Sequence, residues 1–202
     1  MLRWHMNADH WILLLLWGLF GLSHSVMAAP WCKRPLMSLM GRYSRYYRIL
    51  YSFFAFLSLG AIVVMQYSIR SFYITSFPLL KYIVGLIAGV PGVILMIVCI
   101  RKYFFNLSGV RVFFEADEDA VFESGGVHAF VRHPLYLGTL AMIWSLFFFF
   151  PLLSNLLACI AITGYTIIGI HLEERKLLKI FGEQYAVYRR RTPMLIPNLP
   201  LR

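Results

Sequence analysis

Arg132-His133-Pro134-Leu135-Tyr136-Leu137-Gly138 opens an uncharged run that lasts to Ile170, and His171-Leu172-Glu173-Glu174-Arg175 closes it. Phe181-Gly182-Glu183-Gln184-Tyr185 follows. A guanidinium, an imidazole, a phenol and two carboxylates therefore gather at the two ends of one apolar stretch. Groups of these types can hold a charged, water-soluble ligand beside a lipophilic one. Pro134 suits the first turn of a helix, where its missing N–H costs nothing. The free amides and dipole of that turn favour an anionic group. Arg132, just before it, can clamp a carboxylate bidentately. Tyr136 lies one turn further on, and Gly138 permits close approach of a ligand or another helix. Glu173 and Glu174 sit where a helix leaving the apolar run would end, and a helix C-terminus disfavours carboxylates. Two compensations are open: a salt-bridged collar with Arg175 and Lys176, or a bound cation.

Positioning these groups falls to long apolar elements. The chain has 202 residues, of which 60% are hydrophobic and 14% charged. A soluble domain carries about 25% charge. Several uncharged stretches reach the roughly 20 residues that a helix needs to cross a bilayer. The chain reads as an all-α integral membrane protein, a single membrane domain over 1–202. Three spans are expected in 1–100, near 10–29, 49–69 and 79–100. A loop follows over 101–133, and then a helical hairpin with a tail over 134–202. The hairpin shares 134–170 between two crossings, with Pro151 and Ser154-Asn155 marking the reversal. That makes five transmembrane helices.

The net charge is +10. All the lysines and arginines except Arg3, Arg70 and Lys81 fall on one side of such a bundle. The positive-inside rule then gives an N-out, C-in layout, with the site facing the cytoplasm. The basic residues border hydrophobic spans, which favours anionic headgroups over nucleic acid. A cleaved signal peptide is the alternative for the first span, but its start is weakly basic and five basic residues follow it. His24-Ser25 within that span is either a substrate contact or a structural hydrogen bond to a neighbouring helix. Within the loop, Val110–Phe114 reads as extended, and Glu115 to Glu123 as a solvated acidic turn before the hinge Ser124-Gly125-Gly126. From Arg175 to Arg191, apolar residues at spacings of three or four predict an interfacial amphipathic helix broken near Gly182. It is either a lid or a passive anchor. Cys32, Cys99 and Cys159 are far apart and form no metal or disulfide pattern, so no metal site is expected.

Taken together, Arg-His-Pro-x-Tyr-x-Gly, the short hairpin, Glu-Glu-x-x-Leu and Phe-Gly-x-x-Tyr-x-x-Tyr with a downstream proline resemble the integral-membrane methyltransferases. That group includes isoprenylcysteine carboxyl methyltransferase and phospholipid methyltransferases. Phe20 to Ala28, Leu172 to Arg175 and Pro193 to Pro197 resemble, more narrowly, bacterial methanethiol S-methyltransferase-like and NnrU-like proteins. The resemblance implies S-adenosylmethionine as cofactor, bound by His128, Arg132, His133, Pro134, Leu135, Tyr136, Glu173 and Glu174. It implies methyl transfer to a small lipophilic acceptor reached from the bilayer. His128 stands where the family often has Tyr. Gly169 stands where carboxylate-methylating members carry Arg. A carboxylate acceptor thus lacks its clamp, which favours a neutral or thiol acceptor; an isoprenylcysteine carboxyl or phospholipid acceptor is the alternative. The catalytic group is not identified, and the candidates are Arg132, Glu174 and His24.

Three rival readings have their own signatures. Sterol reductases share a similar C-terminal motif but are longer. Di-iron oxygenases need histidines at HxxxH or HxxHH spacing, which the six histidines here do not show. A non-enzymatic haem- or quinone-associated subunit would use His24 and His171 as ligands and would give a Soret band.

Overall fold

The structure, a computed structural model, describes residues 6–75, 78–108 and 122–197. It is helical: α1 (Ala8–Ala28), α2 (Pro30–Met40), a 3-10 helix (Gly41–Tyr46), α3 (Tyr47–Ser68), α4 (Pro78–Ser108), a short 3-10 helix (Gly126–Ala129), α5 (Pro134–Phe149) and α6 (Leu153–Arg191). Among the described residues there is no β-strand, only one isolated bridge between Tyr73 and Leu152. The extended reading of Val110–Phe114 and most of the acidic run lie outside the described residues.

By length and composition, α1, the run containing α2 and α3, α4 and α6 can each cross a membrane. Helix α5 has 16 residues, about 24 Å at 1.5 Å per residue, short of the ~30 Å hydrocarbon core. Among the described residues four helices are thus long and apolar enough to cross, against the five expected, and α5 is a shorter apolar helix. Two elements depart from expectation. The basic stretch after α1 is helical rather than a loop. The helix that carries Glu173 and Glu174 does not end there but runs on to the expected break at Gly182, beyond which a second helical stretch reaches Arg191.

The chain divides into two compact units. One holds α1, α2, the first 3-10 helix, α3 and the first turns of α6. Its polar groups secure the reversal before α6. Trp17 Nε1 donates to Gln66 Oε1 (3.2 Å), Gln66 Nε2 to Asn155 Oδ1 (2.8 Å), and Asn155 Nδ2 to the Phe150 carbonyl (2.7 Å). Ser154 N–H donates to Ser71 Oγ (2.9 Å), and Ser71 Oγ is 3.2 Å from His10 Nε2. Away from water, each such group must find a partner inside the protein, and Ser154-Asn155 supplies both ends of this mesh.

The other unit holds most of α4, α5 and the remainder of α6. Trp144 Nε1 donates to Thr163 Oγ1 (3.1 Å), joining α5 to α6. Ser145 Oγ donates to the Gly85 carbonyl (2.7 Å), joining α5 to α4. At Gly138 the backbones of α4 and α5 come close together. A Cβ there would lie 2.8 Å from the Gly92 carbonyl oxygen and 3.1 Å from Met96 N, both backbone atoms. Gly138→Ala is therefore expected to force α4 and α5 apart and cost about 1–3 kcal/mol. A thermal unfolding scan of the variant checks this, and an unchanged midpoint would contradict the close crossing.

Candidate functional site

All the site geometry described here belongs to the second unit. Helix α5 begins at Pro134, with buried His133 just before it. The backbone amides of Arg132 and His133 are not left open for an anion. They donate to the carbonyls of Pro193 (2.9 Å) and Met194 (3.2 Å), in the segment that follows α6.

Glu174 is the centre of a buried cluster. Its Oε1 accepts from Arg132 Nε (2.7 Å), is 2.7 Å from Arg132 Nη2 and lies 3.2 Å from His133 Nε2. Its Oε2 faces Arg189 Nε at 3.3 Å. The side chains of Arg132 and Glu174 are 9% and 3% exposed. Arg132 Nη1 also donates to the carbonyls of Arg189 (3.0 Å) and Thr192. The carboxylate clamp expected of Arg132 therefore exists, but it closes on Glu174 of the same chain. Nor do Arg175 and Lys176 provide the expected compensation. Both are exposed, and among the described residues neither forms an ion pair with Glu173 or Glu174. Arg189, fifteen residues further along, takes that place.

Glu173 points another way. Its Oε2 accepts from Tyr136 OH (3.0 Å) and lies 4.0 Å from His133 Nδ1, and its side chain is 44% exposed. His133 thus stands between the two acids, with its ring 5.7 Å from that of Tyr136. Because Glu174 is matched by Arg132 and Arg189, Glu173 is the carboxylate left to attract a cation or to accept from hydroxyls.

Gly182 (φ 53°, ψ −128°) bends α6 at a conformation that favours glycine. Past the bend, Tyr185 is 1% exposed and its hydroxyl is directed at Glu174. Burial, then the charge of Glu174, push its phenol above the ordinary value, so it remains a proton donor. Phe122 packs against Phe181 (5.3 Å), Tyr185 (6.0 Å) and Tyr188 (5.3 Å). Tyr188 OH donates to the His128 carbonyl (2.7 Å). His128 is thereby tied to this aromatic cluster through its backbone, while burial lowers its imidazole pKa.

Of the expected residues, the structure brings Arg132, His133, Tyr136, Glu173 and Glu174 into direct contact. Pro134 and Leu135 belong to the same first turn of α5. His24 lies in the first unit, its ring nitrogens 2.7 and 2.8 Å from Tyr51 OH and its ring 5.9 Å from Phe20. Three participants were not expected: Arg189, the carbonyls of Thr192 to Met194, and the buried Tyr185. The Phe-Gly-x-x-Tyr-x-x-Tyr spacing signalled Tyr185, and the Pro193 to Pro197 run signalled the carbonyl-bearing segment.

Burial alone would raise the Glu174 pKa. The hydrogen bond and charge of Arg132, then His133 and Arg189, outweigh it and hold the carboxyl below its ordinary 4.5. A group depressed on folding stabilises fully above its unfolded value, and loses that contribution as pH falls through the folded value. The thermal midpoint of the wild type should therefore converge on that of Glu174→Gln as the medium is acidified below 4.5. A difference that persists unchanged would contradict this.

The family profile described as phospholipid methyltransferase matches residues 80–184, which span α4, α5 and most of α6. The chain is similar to a methanethiol S-methyltransferase of Crocosphaera subtropica, 32% identical over 193 residues, covering 89% of this chain and 71% of that protein. It is similar to methanethiol S-methyltransferase 2 of Bradyrhizobium diazoefficiens, 31% identical over 199 residues, 92% and 72% of the two chains. A shorter likeness, 32% over 87 residues, is to the protein-S-isoprenylcysteine O-methyltransferase of Schizosaccharomyces pombe, covering 42% of this chain and 36% of that one. No solved structure matches the chain significantly.

Proposed function

The chain belongs to the phospholipid methyltransferase family, and on that premise we propose that it transfers a methyl group from S-adenosylmethionine to a small thiol. The observation that carries the cofactor assignment is the unequal pair of acids. Glu174 is buried and fully matched, whereas Glu173 is half exposed, with Oε2 held by Tyr136. The residues fit a cationic nucleoside. Glu173 supplies negative charge or accepts from hydroxyls, while the buried Tyr185 phenol stays beside Glu174. His133, Pro134, Leu135 and Tyr136 form the adjoining wall, with His128 at its edge. When bound, S-adenosylmethionine supplies a methyl group already activated on a sulfonium.

The protein then has to orient and to exclude water. Arg132 and His133 fix Glu174, and through it the site-bearing part of α6. Tyr136 fixes Glu173. Neither Arg132 nor Glu174 is free to move a proton, since each is committed to the buried cluster, and no proton acceptor is assigned. The thiol reading rests on two bacterial relatives that carry methanethiol S-methyltransferase names across most of both chains. Gly169, in place of a cation, disfavours a carboxylate acceptor. The basic tail supports a site on the cytoplasmic side of a bacterial inner membrane.

Calorimetry with S-adenosylmethionine and S-adenosylhomocysteine tests the cofactor, with micromolar binding expected, about −8 kcal/mol. Methyl-labelled donor offered with methanethiol, and separately with phospholipid, tests the acceptor. Label should enter the volatile thioether. Label appearing only in lipid would sink the thiol reading while leaving the family untouched.

A further inference from the structure

The segment between α1 and α3 is helical for most of its length, yet it buries almost nothing in the protein. None of the eleven residues of α2 is buried, nor any of the six in the following 3-10 helix. In α2 the outward row is apolar: Trp31 (69% exposed), Pro35 and Leu39 (86% exposed) follow one another at four-residue spacing on one side. Such a row directed away from the protein has no reason to form in water. It is the pattern of a helix lying in a membrane interface. Both flanking helices, α1 and α3, are long and apolar, so the segment between them emerges at a bilayer face.

The 3-10 helix adds charge in an ordered form. Three residues per turn place Arg42 above Arg45 and Tyr43 above Tyr46. Each guanidinium lies over the ring of the next tyrosine, at 4.8 Å and 4.7 Å, and donates to its hydroxyl, at 2.7 Å and 2.6 Å. Both arginines are exposed, and neither meets a carboxylate among the described residues. Lys33, Arg34 and Arg48 complete the basic set, and no acidic residue occurs between His10 and Phe114. A guanidinium stacked on an aromatic ring keeps donors for planar, bidentate recognition of phosphate.

We propose that residues 30–48 form a docking surface for anionic phospholipid. The Trp31–Pro35–Leu39 row enters the acyl boundary, and Arg42 and Arg45, pre-set by Tyr43 and Tyr46, bind headgroup phosphates. The observed charge favours a lipid leaflet over a protein partner, since a long apolar row and a one-sign guanidinium ladder together match its layered chemistry. This surface is independent of the methyl-transfer reading.

The test uses the full chain in nanodiscs of phosphatidylcholine alone and of phosphatidylcholine mixed with phosphatidylglycerol. Native mass spectrometry of the released protein reads retained lipid. Phosphatidylglycerol should be retained in preference, and Arg42→Gln with Arg45→Gln should reduce retention about fivefold for each arginine removed. Nanodiscs with brominated acyl chains should quench an emission component that Trp31→Phe eliminates. Equal retention of both lipids, retention unchanged in the double variant, or an unquenched Trp31 would overturn the proposal. So would a dimer that dissociates in the double variant with its retained lipid unchanged, which would assign the surface to a second copy of the chain.

Discussion

Arg132→Ala is expected to destabilise the protein by about 3–5 kcal/mol, the cost of removing one partner from a buried ion pair. Arg132 and Glu174 are almost entirely enclosed, and the guanidinium satisfies one carboxylate and two backbone carbonyls at once. Without it, Glu174 keeps His133, the half-exposed Arg189 and the Tyr185 phenol as neighbours. The expected signature is a large fall in thermal midpoint, with weaker cofactor binding following from it. A variant that unfolds like the wild type but fails to bind would contradict this, and would make Arg132 a ligand-facing group.

Glu173→Gln should do the opposite. Its side chain is 44% exposed and its one neutral partner is Tyr136, so the folded state should lose less than about 1 kcal/mol. Cofactor affinity should fall about 10- to 100-fold, the worth of one hydrogen bond to a charged group. Calorimetry and a melting curve on the same sample separate the two effects. Normal affinity in a stable Glu173→Gln protein would remove the acid from the proposed site. Adjacent residues on one helix would thus have separate tasks, one holding the scaffold and one meeting the ligand.

The sequence made the apolar spans legible because charge is absent from them for physical reasons: a bilayer tolerates few ionised groups. Pro134 and Pro151 with Ser154-Asn155 were legible because proline restricts where a helix begins and a chain turns. The convergence of His133, Tyr136 and the two acids was legible because hairpin arms with a short turn must return their far ends to one level. Other features were not. Helix α2 hides from a search for inward-facing periodicity, since its apolar row points out. The charged residues after Ile170 looked like a helix end, yet a helix leaving an apolar run can simply continue, carried here by Leu177, Leu178 and Phe181. The break at Gly182 was legible from its glycine, but not that it would return Arg189 to Glu174.

The carbonyls of Pro193 and Met194 that receive the Arg132 and His133 amides lie just past three consecutive arginines, Arg189 to Arg191. A trypsin-like protease acting on that run would leave the imidazole, the phenol and both acids on one uncut piece. It would nevertheless release the peptide that holds the start of α5. Proteolytic nicking is thus a route to inactivation that touches none of the reactive groups, and a purification free of such cleavage matters more for this protein than its compact helices suggest.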